Sequence, residues 1–156
     1  MRSIGVSIVI SALIRCGERS HPVVGEGIAL LRRCWNHDGS WNRWSDGPKD
    51  PFDYDYMVRV LYLNSAESGR RIIEQTARYI LSHRDMWRQN YFACSALLPC
   101  LLMAGYRSKH EAIYEMSAVL LGAREPNGSW VYPGEGQDAW LTAYIVEALL
   151  QCGCIP

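Results

Sequence analysis

Three carboxylates lie within the six residues Asp50-Pro-Phe-Asp-Tyr-Asp55. Carboxyls a residue or two apart repel when both are ionised, so one of them tends to keep a proton. A water-poor surrounding strengthens that tendency and makes a general acid. Asp50, Asp53 and Asp55 are therefore the candidate catalytic residues. The same residues have a plainer use. Asp50 and Asp53 are good N-caps for a helix starting here, and Pro51 is a favoured first-turn residue. The positive end of a helix also favours the anion over the acid. Aromatic rings crowd this segment and two others: Phe52, Tyr54 and Tyr56, then Tyr91 and Phe92, then Trp140 and Tyr144. Their faces attract positive charge; their default role is core packing. Asp138, just ahead of Trp140, is an ordinary first-turn acid as well as a site candidate.

The elements that must position these groups show in a set of internal repeats. Ala29-Leu-Leu-Arg-Arg-Cys-Trp-Asn-His-Asp-Gly-Ser-Trp41 and Ala118-Val-Leu-Leu-Gly-Ala-Arg-Glu-Pro-Asn-Gly-Ser-Trp130 each read as a helical run stopped at Asp/Asn-Gly. A second pattern is Ser11-Ala-Leu-Ile-Arg-Cys-Gly17, matched by Glu147-Ala-Leu-Leu-Gln-Cys-Gly153. Cys100-Leu-Leu-Met-Ala-Gly105 and, loosely, Val60-Leu-Tyr-Leu-Asn-Ser65 fit it too. These frames end at 17, 65, 105 and 153, in steps of 48, 40 and 48. A period of roughly 44 residues is that of stacked helical hairpins. Helices are predicted over roughly 3–16, 22–35, 52–64, 69–83, 89–104, 109–124 and 138–152. The first, third, fifth and seventh are apolar nearly all round and should be buried on all sides. The alternate ones, such as the run from Arg70 to Leu81, are amphipathic and should form an outer layer. The expected fold is all-α, a single domain over 1–156 in which inner/outer hairpins form an arc, about half, of an α/α toroid.

Composition narrows the classes. The chain has 156 residues, 16 basic and 16 acidic side chains, and 49% apolar residues. That excludes wholesale disorder. With no basic stripe, nucleic acid is not an expected partner. No apolar run reaches the ~18–20 residues of a membrane span. The apolar stretch Ile4–Ile14 lacks a small-x-small cleavage site before Cys16, and its register with the last helix marks it as a frame helix. The six cysteines Cys16, Cys34, Cys94, Cys100, Cys152 and Cys154 read as free, mostly buried thiols of a cytoplasmic protein. Cys152-Gly-Cys154 could hold a metal, but no His lies near it, so neither metal nor cofactor is expected. His21, His83 and His110 sit at predicted helix ends and His37 in a loop, none with an evident partner.

Asp38-Gly-Ser-Trp41 and Asn127-Gly-Ser-Trp130, each followed by an inner helix, resemble the Gln-Trp repeats of squalene/hopene and other class II terpenoid cyclases. Gln137-Asp-Ala-Trp-Leu-Thr-Ala-Tyr-Ile-Val-Glu-Ala-Leu149 resembles their inner helices. It also resembles those of protein prenyltransferase β-subunits and of α-macroglobulin thioester domains. The resemblance covers essentially the whole chain as architecture. The thioester motif Gly-Cys-Gly-Glu-Gln is missing, as is the prenyltransferase Asp-x-Cys zinc pair. The cyclases protonate an alkene or epoxide with an Asp-x-Asp-Asp motif. Asp53-Tyr-Asp-Tyr56 keeps part of it, with Tyr at the last position. In an alternative register Asp50 aligns with Asp138, and Asp53 falls on the final Asp. The sequence leaves both registers open.

The resemblance implies a cyclase, or half of one, with Asp53 or Asp55 as the acid. Phe52, Tyr54, Tyr56, Tyr91, Phe92, Trp140, Tyr144 and Asp138 would line the site for an isoprenoid or other apolar molecule. Such a substrate would arrive from a membrane, which makes peripheral membrane contact an expectation of this reading. Tryptophans of the Gly-Ser-Trp type are structural wedges in these enzymes, and Trp41 and Trp130 are read the same way. The alternatives are a non-catalytic binding or assembly module and a truncated cyclase copy. In each, a homodimer or a partner chain is expected to complete the ring.

Overall fold

The computed structural model describes residues 3–41, 50–64, 67–132, 134 and 136–155. The protein is all-α, with seven helices among these residues. It divides into two compact units, Met1–Ser82 and His83–Pro156.

The first unit holds α1 (Ser3–Arg15), α2 (Pro22–Arg32), α3 (Pro51–Asn64) and α4 (Glu67–Ser82). The helices α1/α2 and α3/α4 pack as hairpins, and α1 lies along α3. The short connections make each pair antiparallel. A Cβ added at Gly27 of α2 would lie 2.2 Å from Ile10 Cδ1, so a larger residue there would have to displace the Ile10 side chain of α1.

The second unit opens with a single 3-10 turn, Arg84–Met86, followed by α5 (Tyr91–Met103) and α6 (Glu111–Gly122). A two-stranded hairpin, β1 (Val131–Tyr132) and β2 (Gly136–Gln137), then leads into α7 (Ala139–Gln151). The strands are antiparallel, with Val131 opposite Gln137 and Tyr132 opposite Gly136. The helix α5 packs on α6 and α7. Its residues from Ala93 to Leu102 are all buried, as the sequence reading expects of an inner helix. Cys94 lies in this core and its thiol donates to Trp87 O at 3.2 Å. Burial pushes that thiol up from 9.0 to about 12. An unfolded chain ionises there first. Stability is therefore complete below about pH 9 and declines as pH rises toward about 12. Urea midpoints at about pH 8 and about pH 10.5 should fall more steeply in the wild type than in Cys94→Ala; equal slopes would contradict this.

The repeats recur in atomic detail. Three inner helices end in the same turn. Gly17 N–H donates to Ile14 O and Glu18 N–H to Leu13 O; Gly105 N–H donates to Leu102 O and Tyr106 N–H to Leu101 O; Gly153 N–H donates to Leu150 O and Cys154 N–H to Leu149 O. The glycines have φ of 89°, 96° and 71°, the left-handed state this cap requires. The fourth frame end, Ser65, lies outside the described residues. The two Gly-Ser-Trp loops also match. Asn36 N–H donates to Ser40 O at 2.8 Å, and Glu125 N–H to Ser129 O at 2.9 Å. In each loop the Asx side chain, Asp38 or Asn127, accepts from the backbone and hydroxyl of the following serine.

Not every inner helix is buried on all sides. In α1, Ile8 and Val9 are exposed; in α7, Trp140 and Leu150 are. Within their units α1 packs on α2 and α3, and α7 on α5 and β1.

Two helix starts had no visible cap in the sequence. His21 Nδ1 accepts from Val23 N–H, and His110 Nδ1 from Ala112 N–H, both at 3.3 Å. The two histidines are equivalent positions of the repeat. A neutral imidazole is a weak substitute for a carboxylate at the positive end of a helix. His110→Asp should therefore stabilise the protein by ~0.5–1 kcal/mol, read as a higher Tm; a lower Tm would contradict the capping role.

Candidate functional site

The carboxylate segment opens α3. Asp50 is its N-cap: Phe52 N–H donates to Asp50 Oδ1 at 3.0 Å, and Asp53 N–H donates to Asp50 O at 3.0 Å. Pro51 is the first helical residue, as expected. Asp138 caps α7 in the same way, accepting from Leu141 N–H at 2.9 Å. Asn90 caps α5, accepting from Ala93 N–H at 3.1 Å. Matching caps at 50, 90 and 138 repeat the 40 and 48 steps of the frame ends. Asp50 and Asp138 are thus equivalent caps, and Asp53 takes the third position of its helix.

Asp55 is fully buried at 0% exposure, and Arg59, one turn on, grips it from both sides. Arg59 Nε lies 3.2 Å from Oδ2 and its terminal nitrogen 3.2 Å from Oδ1. Such a bidentate guanidinium stabilises the ionised carboxylate. That is the opposite of what a proton donor needs. Asp53 is also buried, at 4% exposure, in the first turn of α3.

The caps expose a pattern that the sequence reading did not state. Two residues after each Asx cap stands an aromatic ring: Phe52 after Asp50, Phe92 after Asn90, Trp140 after Asp138. In α3 and α7 a tyrosine follows one turn later and the rings pair. Phe52 and Tyr56 have centroids 6.4 Å apart; Trp140 and Tyr144 stack at 5.3 Å. In α5 that later position is Ala96, and Phe92 instead meets Tyr132 of β1 edge-on at 5.1 Å. Tyr91 donates its hydroxyl to Val131 O at 2.5 Å. Burial first, and Glu125 second, raise the Tyr91 phenol above its ordinary value, so it stays a donor. In the second unit Tyr91 and Phe92 thus meet β1 of the hairpin, and Trp140 and Tyr144 pair in the first turns of α7. Trp140 is 47% exposed.

Tyr54 is placed differently. It is buried and stacks on Tyr79 of α4 at 6.3 Å, so it belongs to the packing between α3 and its outer helix. Trp41 and Trp130 are buried wedges, as expected. Trp41 Nε1 donates to Thr76 Oγ1 of α4 at 3.0 Å, and Trp130 Nε1 to Leu120 O of α6 at 2.7 Å. The residues missed by sequence reasoning are Arg59, Tyr79 and Tyr132. For Arg59 a signal existed, since Asp55 and Arg59 are four apart on a helix.

Among the described residues, no helix is long and apolar enough to cross a membrane, and no group of three or more His, Cys, Asp or Glu side chains could hold a metal ion. Compared with protein-family models, curated proteins and solved structures, the chain matches none.

Proposed function

We propose that this chain is a helical-hairpin repeat module of the terpenoid-cyclase-like kind that binds an apolar, isoprenoid-type molecule without cyclising it. The observation that carries this reading is the fate of the carboxylates. Asp50 is spent on a helix cap, and Asp55 is held by Arg59 in a bidentate ion pair. The binding surface is the set of rings at the starts of α5 and α7 in the second unit, with the exposed Trp140–Tyr144 stack as its accessible part. Farnesol titrated into the protein should quench tryptophan emission, and Trp140→Ala should remove most of the quenching. Quenching that survives unchanged in Trp140→Ala would overturn the assignment of the surface.

One observation favours catalysis as a second reading. Asp53 is a buried carboxyl beside Phe52 and close in sequence to Tyr56, the surroundings an acid would use to protonate an alkene. Cyclic products from squalene that disappear in Asp53→Asn would establish it.

The reading also gives the free side of α1 a partner. Val9 is 52% exposed, whereas Met57 and Ile145, its equivalents in α3 and α7, are fully buried. The proposed cover of α1 is α7 of a second copy, which would continue the same inner-helix packing. Light scattering should then give a mass near twice 17.7 kDa; a stable monomer would exclude this.

A further inference from the structure

The thiols of Cys152 and Cys154 stand apart from the aromatic surface. The C-terminal turn of α7, with Gly153 at φ 71°, folds the chain so that both side chains end on one residue of α6. Ser117 Oγ is 3.5 Å from Cys152 Sγ and 3.2 Å from Cys154 Sγ. Cys152 Sγ also donates to Leu149 O at 3.3 Å. Cys152 is buried, Cys154 is half-exposed, and neither is in a disulfide.

Two chemistries suit a pair of converging thiols. Thiol–disulfide exchange needs a thiolate. Here burial, and next the neighbouring Cys154 thiol, raise Cys152 above its ordinary value. The carbonyls at the end of α7 add negative potential. Both effects oppose a free thiolate. A soft cation reverses the balance. It bonds directly to both sulfurs, takes the place of their protons and neutralises one of the two thiolate charges. Two thiols suffice for an ion that accepts two-coordination.

We propose that Cys152 and Cys154 form a two-thiolate site for a soft monovalent cation, Cu(I) being the representative of that class. One Cu⁺ replaces two thiol protons, giving an S–Cu–S unit of charge −1 and releasing two H⁺; no electron is transferred. The Ser117 hydroxyl donates to a bound sulfur and positions it. Half-exposed Cys154 is the way in.

The test is competition for Cu(I) between the reduced full-length protein and bicinchoninate under anaerobic conditions. One tightly held equivalent with release of two protons is expected. Cys154→Ser should weaken binding by more than ~100-fold, and Ser117→Ala by ~10-fold or more, as expected when a ligand or its supporting group is lost. Cys16→Ser, which removes the exposed thiol of α1's end, should bind as the wild type does. Circular dichroism confirms that each variant is folded. If bicinchoninate keeps all the Cu(I), or if Cys154→Ser binds as tightly as the wild type, the proposal fails.

Discussion

Arg59→Met is expected to destabilise the protein by about 2–4 kcal/mol, more than a surface change would. The substitution keeps most of the apolar stem of Arg59 but removes the guanidinium. Asp55, with 0% exposure, is left charged and without its bidentate partner. Loss of one member of a buried pair costs ~3–5 kcal/mol. The lower range allows for the 21% exposure of the Arg59 side chain, which admits some water. Replacing both partners, Asp55→Leu with Arg59→Met, should recover most of that loss, because two well-packed apolar residues carry no desolvation penalty. Urea denaturation of the single and double variants checks both. A single variant within ~0.5 kcal/mol of the wild type would mean that Asp55 does not depend on Arg59.

Gly39→Ala is expected to cost about 3–4 kcal/mol, and the equivalent Gly128→Ala only about 1–2. Both glycines have left-handed backbones, with φ of 94° and 89°, which any side chain strains. Their surroundings differ. A Cβ at residue 39 would lie 2.3 Å from Gln75 O and 2.8 Å from Gln75 C, both backbone atoms of α4. Neither can move without shifting the helix, so an overpacking cost of ~1–3 kcal/mol adds to the strain. A Cβ at residue 128 would meet only the guanidinium end of Arg124, 2.8 Å away, and that side chain can swing aside. Equal losses in the two variants would show that the loop on α4 is looser than described.

Much of the fold was legible because punctuation and periodicity agree. Gly17, Gly105 and Gly153 each follow an apolar run, and each proves to be the left-handed cap that such a run needs. Asp50-Pro51 reads as a helix start and is one. The exposure of Val9 was not legible. An apolar helix surface looks the same in sequence whether a neighbour covers it or not; only the packing tells that α1 has one inner-helix neighbour in its unit. The histidine caps were missed because His is an uncommon capping residue, although positions 21 and 110 share the repeat spacing of the two Gly-Ser-Trp loops.

At the candidate site, composition was legible and electrostatics was not. Counting carboxylates pointed to an acid. The sign of the outcome depended on Arg59, a turn further along the same helix. Tyr54 was grouped with its aromatic neighbours by position, but alternation around a helix sends it toward Tyr79 while Phe52 and Tyr56 share another face. The pattern of cap followed by aromatic at 50/52, 90/92 and 138/140 was present in the sequence. It became readable once the three caps proved equivalent.

The central claim is that the rings at the starts of α5 and α7 hold an isoprenoid that the protein does not cyclise. The most direct measurement is incubation of the protein with squalene and, separately, with prenyl diphosphates, followed by extraction and mass-spectrometric analysis of everything bound or released. The account expects an isoprenoid to co-purify with the wild type, to be lost in Trp140→Ala, and to be recovered unchanged. A cyclic product made by the wild type and abolished in Asp53→Asn would contradict it.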